Sequence, residues 1–294
     1  MKITALVENT SKRDDLKTVH GLSVHIETPK HKLLFDLGPD DTYIKNATTL
    51  GINLEDVDTV VISHGHYDHG GALASFLKIN GKANIYIRRQ AFQPNFIANA
   101  TRLGTKPPAG WPDFQPNFIT NAAGDKLFIG LDADLVKNER IIFTDDPMRI
   151  DDELLVFSHV EGALDMQSRH AFFKQTPDGY APDNFDHEQH LIVTTEDKAV
   201  LFSGCSHSGV DGILPAALRH KSGIKAVFGG FHLYNPASGV TEPAEVVREL
   251  AGKLAAYETV FYTCHCTGSQ AFECLRETMG EKLRYFSTGT VVEV

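Results

Sequence analysis

Three imidazoles and one carboxylate fall within six consecutive positions of the run Ser63-His64-Gly65-His66-Tyr67-Asp68-His69-Gly70-Gly71. Neutral imidazole and carboxylate suit zinc and its first-row neighbours, and an HxHxDH string feeds two adjacent ions if the chain turns between its pairs. His64 and His66, two apart on an extended turn, face one ion. Asp68 and His69, at a helix start, face another. Two cations about 3.5–4 Å apart share a water, lower its pKa from about 15.7 towards about 7, and present hydroxide to an ester, lactone or phosphoester. The expected chemistry is hydrolysis by a metal-bridged hydroxide. Without this order and these glycines, the same residue types would read as a histidine-rich surface loop.

The elements around the run have to hold it. Residues 57–62 form an apolar stretch that reads as a buried strand ending at the motif, and Gly70-Gly71 let the chain fold tightly into a helix over 72–78. Strand patterns precede it at 3–7, 22–27 and 32–35, with a helix over 43–50; a strand at 84–87 follows. Further strands are expected at 141–143, 154–157, 171–174, 191–195 and 199–202. Three strand-to-loop junctions come next: Gly204-Cys205-Ser206-His207-Ser208-Gly209, Gly229-Gly230-Phe231-His232-Leu233, and Cys264-His265-Cys266-Thr267-Gly268. Each puts a histidine at the carboxyl end of an apolar strand, the edge where α/β folds collect ligands and chemistry. A lone histidine there is more often a core residue; four junctions aimed at one edge reverse that reading. Ser206, Ser208 and Thr267 stand near helix starts, where hydroxyls cap helices or, with adjacent amides, hold an anion.

Residues 88–140 have weak periodicity and read as an insertion within a single domain spanning 1–294. Inside it Phe92-Gln93-Pro94-Asn95-Phe96-Ile97-Ala98-Asn99-Ala100 recurs as Phe114-Gln115-Pro116-Asn117-Phe118-Ile119-Thr120-Asn121-Ala122, identical at eight of nine positions. Two copies are too few for a solenoid. Each offers two aromatics beside a proline-led helix start, with Trp111 between them. Two roles stand level: a lid or wall over the metal cleft, or an aromatic patch packed on the body or in a dimer contact.

A formal net charge of -10 over 294 residues argues against a nucleic-acid partner, since such binders present a basic face. No apolar run approaches a bilayer span, and the opening Met1-Lys2-Ile3-Thr4-Ala5-Leu6-Val7-Glu8 is charged too soon for a signal peptide. The four cysteines lie in the last third and form no secreted disulfide framework. A cytoplasmic protein acting on a small molecule, with self-association open, fits these features.

The HxHxDH run makes the chain similar to the metallo-β-lactamase superfamily. His20-Gly21-Leu22-Ser23, Phe35-Asp36-Leu37-Gly38 and the junctions GCSHSG, GGFHL and HCTG resemble one branch of it. That branch is the proteins similar to 7,8-dihydropterin-6-methyl-4-(β-D-ribofuranosyl)aminobenzene 5′-phosphate synthase. The resemblance implies an α/β fold of four layers, an αββα sandwich, here with an inserted lid-like segment. It implies His64 and His66 as ligands of one metal, Asp68 and His69 as ligands of a second, and His265 as the last metal histidine. Asp36 matches an aspartate that supports the motif loop by hydrogen bonds from behind the ligands.

The chain departs from the superfamily at the bridging aspartate, because strand 199–202 delivers Gly204-Cys205. Cys205 is a thiolate ligand or a small thiol beside the site. His207 is expected to complete the first metal, since His159, His187 and His190 lack a convincing motif. His232 is read as substrate-facing or outer, with a ligand role open. Asp68, His232 and His20 are the catalytic candidates: Asp68 to hold an ion and orient hydroxide, His232 or His20 to stabilise charge or protonate a leaving group.

The flavodiiron oxygen reductases of the same fold carry glutamate where this chain has His66 and need a flavin domain. The expected cofactors are two divalent ions, zinc first, with manganese or iron(II) open. The expected function is hydrolysis of a small anionic phosphoester, ester or lactone. The branch's pterin or ribofuranosyl phosphate transfer is one alternative, and a metal-dependent binding or sensor protein another.

Overall fold

In the computed structural model, residues 1–98, 126–196, 198–235 and 239–294 are described. Two seven-stranded sheets dominate. The first runs, in spatial order, Val291–Glu293, Lys2–Val7, Ser23–Glu27, Lys32–Phe35, Thr59–Val61, Asn84–Ile87 and Ile141–Phe143. The second runs Leu283–Tyr285, Val260–Thr263, Ile224–Gly229, Lys198–Phe202, His190–Thr195, Leu154–Phe157 and Met148–Arg149.

Strict alternation along the strands explains the layering. Phe35, Val61 and Tyr86 point inward to a core shared with Val156, Val200, Phe202 and Phe228 of the second sheet. Their neighbours Leu34, Val60, Ile85 and Ile87 point outward, under helices Thr42–Thr49 and Leu73–Ile79. On the far side Leu201, Val227 and Phe261 pack under helices Val210–His220, Ala244–Ala255 and Ser269–Met279. The result is helix, sheet, sheet, helix, the four-layer αββα sandwich.

Each sheet is antiparallel at one side and parallel at the other. Lys32–Phe35, Thr59–Val61, Asn84–Ile87 and Ile141–Phe143 pair in parallel, as do Lys198–Phe202, Ile224–Gly229, Val260–Thr263 and Leu283–Tyr285. Parallel pairing puts their carboxyl ends on common edges. Asp36, the HxHxDH run, Cys205, His232 and His265 all follow directly from such ends.

The first copy of the duplicated segment departs from the sequence reading. Arg89–Phe92 is a 3₁₀ turn, and after Pro94 the chain enters a strand, Asn95–Ala98, not a helix. That strand lies between Phe172–Thr176 and Lys126–Phe128 in a four-stranded sheet completed by Gly179–Pro182. Proline suits the first position of a strand as well as of a helix, and the cross-strand pairs Ile97–Phe172 and Phe96–Phe173 decide the matter here. The second copy lies outside the described residues. Among the described residues no helix is long and apolar enough to cross a membrane.

Candidate metal centre

The motif run begins as strand Thr59–Val61 ends and turns into the single-turn helix Tyr67–Gly70. Close approach requires glycine at several places, two of which fix the motif. A Cβ on Gly65 would lie 2.4 Å from the Ala91 carbonyl oxygen, and one on Gly21 would lie 2.5 Å from that of Asp68. The second contact, with the Leu22 amide donating to the Asp68 carbonyl at 3.1 Å, brings His20 against the motif.

Six non-glycine residues among those described have positive φ, and four of them are at this site: Asp36 (61°), Ser206 (56°), His232 (49°) and His265 (53°). Such backbone costs about 1–3 kcal/mol per residue and persists where surrounding contacts overdetermine it.

One group of imidazoles comprises His64, His66 and His207. Their rings lie 4.5 Å apart for His64 and His66, 4.8 Å for His64 and His207, and 4.9 Å for His66 and His207. Nε2 of His64, Nε2 of His66 and both nitrogens of His207 are buried with no hydrogen-bond partner. Each such nitrogen costs on the order of 1–3 kcal/mol unless something binds it. Burial, then the neighbouring imidazoles, hold His64 and His207 well below the ordinary histidine range, and burial brings His66 down to about 3. All three are neutral, the form in which histidine binds metal.

A second group comprises Asp68, His69 and His265. Nε2 of His265 is 3.2 Å and Nε2 of His69 is 3.6 Å from Asp68 Oδ2. The other ring nitrogens are taken: Nδ1 of His69 by Asp36 Oδ2 at 2.6 Å, and Nδ1 of His265 by Asn9 Oδ1 at 3.0 Å. Both oxygens are acceptors, so both Nδ1 atoms donate, and the two Nε2 atoms, 3.3 Å apart, face each other. That pair calls for a positive charge between or beside them. Burial pulls the His69 pKa down, yet the Asp36 and Asp68 carboxylates outweigh it and raise it to about 9. The charge this pocket wants is supplied by a proton or, equally, by a cation. Burial raises the Asp68 pKa, but His69, His20 and His265 overcome it and hold the carboxylate well below its usual range.

Cys205 is buried between the groups. Its sulfur is 3.1 Å from His69 Nε2. The ligand atoms of Asp68, His69, Cys205 and His265 lie within 4.8 Å of one another, and so do those of His64, Cys205 and His207. Burial first, then Cys266, pushes its thiol well above the usual range. The donor sets, their burial and their unpartnered nitrogens fit divalent cations.

The remaining sequence candidates are at the same place. His20 Nε2 is 3.4 Å from Asp68 Oδ2, and its ring centroid is 4.5 Å from that of His265. The His232 ring is 4.3 Å from His207 and 5.3 Å from Phe172. Asp36 accepts from the Ser63 amide and hydroxyl, both at 2.7 Å, as well as from His69. The serine and threonine hydroxyls do not cap helices. Ser206 Oγ pairs with Ser203 Oγ at 2.8 Å, Thr267 Oγ1 accepts the Phe231 amide at 2.9 Å, and helices Val210–His220 and Ser269–Met279 have no side-chain cap.

Three groups of residues that carry no motif hold the site. In His187-Glu188-Gln189, the Gly65 amide donates to His187 Nδ1 at 3.0 Å, the Gln189 amide donates to the Ser63 carbonyl at 2.7 Å, and the Glu188 carboxylate accepts the amides of His207 and Ser208, each at 2.7 Å. The ligand atoms of His66, Asp183 and His187 also converge, but His187 has both nitrogens occupied, Nε2 by Asp183 at 3.0 Å. Glu8 and Asn9 brace His265 through its amide and ring, and Asn95, in the first duplicated copy, donates to the Gly65 carbonyl at 3.4 Å. His159, by contrast, is exposed beside Asp146, and His190 is buried against Phe157.

The groups open on a small cleft. Ile97, Ile129 and Phe172 give it an apolar wall, and no lysine or arginine lines it among the described residues.

Residues 17–155 match the model of the Metallo-beta-lactamase superfamily. Over 283 residues the chain is 26% identical to an uncharacterized protein of Methanocaldococcus jannaschii, with 94% of each chain covered. It is also 26% identical over 289 residues to the 7,8-dihydropterin-6-methyl-4-(beta-D-ribofuranosyl)-aminobenzene-5′-phosphate synthase of that organism, covering 93% of this chain and 90% of the other. The crystal structure of Tm1679, a metal-dependent hydrolase of the beta-lactamase superfamily, superposes with a TM-score of 0.75 at 26% identity, covering 100% of this chain and 99% of that one. This chain carries a metallo-beta-lactamase superfamily domain, and its two sheets and outer helices are the metallo-beta-lactamase fold.

Proposed function

We propose that the protein is a metal-dependent hydrolase with two divalent cations, most readily zinc, acting on a small ester, lactone or phosphoester. The single observation that carries this reading is the set of buried, unpartnered nitrogens on the neighbouring rings of His64, His66 and His207, beside the Asp68, His69 and His265 group. The first three would hold one ion and the second three the other. When bound, such a pair supplies Lewis acidity and acidifies water at the cavity.

The chain's own groups do the rest. The Ser168 hydroxyl donates to the His232 carbonyl at 2.7 Å, so it accepts from His232 Nδ1 at 3.2 Å. His232 is left with Nε2 as an acceptor for the cavity it lines. His20, against Asp68 at the same cavity, is placed to deliver a proton to a leaving group. Ile97, Ile129 and Phe172 exclude water and take the apolar part of the substrate. With no lysine or arginine in the described lining, an anionic group would be drawn by the cations themselves, which favours an ester or lactone within the proposed range. The reading includes a cytoplasmic protein of one domain, 1–294, in which residues 88–140 are an insertion contributing a wall of the cavity.

A second reading is group transfer of the kind named for the Methanocaldococcus jannaschii synthase, favoured by the near full-length match to it. Assay against aryl esters, lactones and a generic phosphodiester, with and without zinc or manganese, separates the two. Metal-dependent turnover that His66→Ala abolishes supports hydrolysis. No turnover on any of them with two metals bound contradicts it and favours transfer or a binding role.

A further inference from the structure

We propose that Cys205, as a thiolate, is the one ligand shared by both cations, bridging them where the resembled superfamily sets an aspartate. The inference rests on the binuclear reading above and goes beyond it in assigning the bridge. Among the described residues Cys205 alone belongs to both convergent groups, that of Asp68, His69 and His265 and that of His64 and His207. It is 3% exposed, so solvent does not compete for the sulfur. The His64 and His207 group independently asks for a ligand, because His64 Nε2 and both His207 nitrogens are buried and unpartnered. In the Asp68, His69 and His265 group, the sulfur already lies 3.1 Å from His69 Nε2.

The turn fixes this placement. Cys205 follows Gly204 at the end of strand Lys198–Phe202 and precedes Ser206 with φ 56°, while the next amides, of His207 and Ser208, are tied to Glu188. A sulfur held between two donor groups can reach both without moving the backbone. On loading, the S–H bond breaks, its proton passes to buffer, and sulfur lone pairs form the bonds to the two ions; nothing is oxidised or reduced. A soft bridge has a consequence for metal choice. Thiolate selects zinc, cobalt or iron over manganese, which prefers oxygen.

The test is titration of the full-length, chelator-stripped chain with cobalt(II), following the near-ultraviolet thiolate-to-cobalt absorption and, in the visible, total bound cobalt. A bridge predicts that the thiolate band appears with the first equivalent and roughly doubles with the second. Cys266→Ser, which removes the neighbouring buried sulfur, keeps that behaviour. Cys205→Asp binds two cobalt ions without the band and shifts the preference between zinc and manganese towards manganese. A band that saturates at one equivalent makes Cys205 a ligand of one ion only and overturns the bridge. Two bound cobalt ions with no band in the wild type overturn any ligand role while leaving the binuclear reading intact. Failure to bind cobalt at all removes both. Circular dichroism of Cys205→Asp and a second variant, Cys205→Ser, guards against misreading a folding defect.

Discussion

The Asp36 carboxylate meets His69 Nδ1 at 2.6 Å, and this contact decides which nitrogen of His69 faces the other ligand candidates. Asp36 accepts the hydrogen bond from Nδ1–H and leaves Nε2 for His265, Asp68 and Cys205. The same carboxylate holds the Ser63 amide at the head of the motif. Its φ of 61° is one that asparagine also tolerates, so Asp36→Asn changes charge and acceptor strength with little change in backbone. Asp36→Asn should weaken metal binding by about 10–100-fold, read by chelator competition. An unchanged affinity would mean that His69 needs no such orientation.

Glu188 ties the His207 loop to the segment that grips the HxHxDH turn. Its removal leaves two amides, that of buried His207 and that of half-buried Ser208, without an acceptor. Glu188→Ala should cost about 1–3 kcal/mol in chemical denaturation and lower metal occupancy at the His64, His66 and His207 group. Glu188→Gln, which retains one carbonyl acceptor, should fall between it and the wild type. Equal metal content in all three would show that the loop is held by other contacts.

Gly65 has no room for a methyl group against Ala91. Gly65→Ala should displace the turn carrying His64 and His66 and lower metal affinity, while the shared core between the sheets keeps its cooperative unfolding. Full metal binding in this variant would show that the turn yields without moving its histidines.

His31 lies between Asp58, 2.8 Å from Nδ1, and Asp151, 2.7 Å from Nε2. Burial lowers its pKa, but the two carboxylates outweigh this and raise it above the ordinary value. A raised folded-state pKa gives stability that is fully present below the unfolded value of about 6.5 and is lost as pH rises through the folded value. The stability gap between wild type and His31→Gln should therefore be wider at about pH 6 than at about pH 9, read by urea denaturation. A gap that stays constant or widens with pH would contradict the pairing.

Much of the site was legible because its ligands follow strand ends. The HxHxDH spacing, and histidines after three later apolar strands, are properties of short segments, and parallel pairing then places those segments on one edge. Glu188, His187 and Asn9 were not legible, since each acts through a contact made across the fold and has no local pattern to mark it. His187 is a histidine without a motif in the sequence, and its role as acceptor of the Gly65 amide depends on a partner 122 positions away. Pro94 misled because proline opens helices and strands alike, and only the pairing of Asn95–Ala98 with Phe172–Thr176 distinguishes them.

The central claim, two cations held by these two groups, is tested most directly by metal content per chain, using plasma mass spectrometry on protein purified without chelator. Wild type, His207→Ala and His265→Ala are compared. The account predicts two divalent ions in the wild type and a loss in each variant, zinc or iron rather than manganese. One ion or none in the wild type, unchanged in the variants, would contradict it.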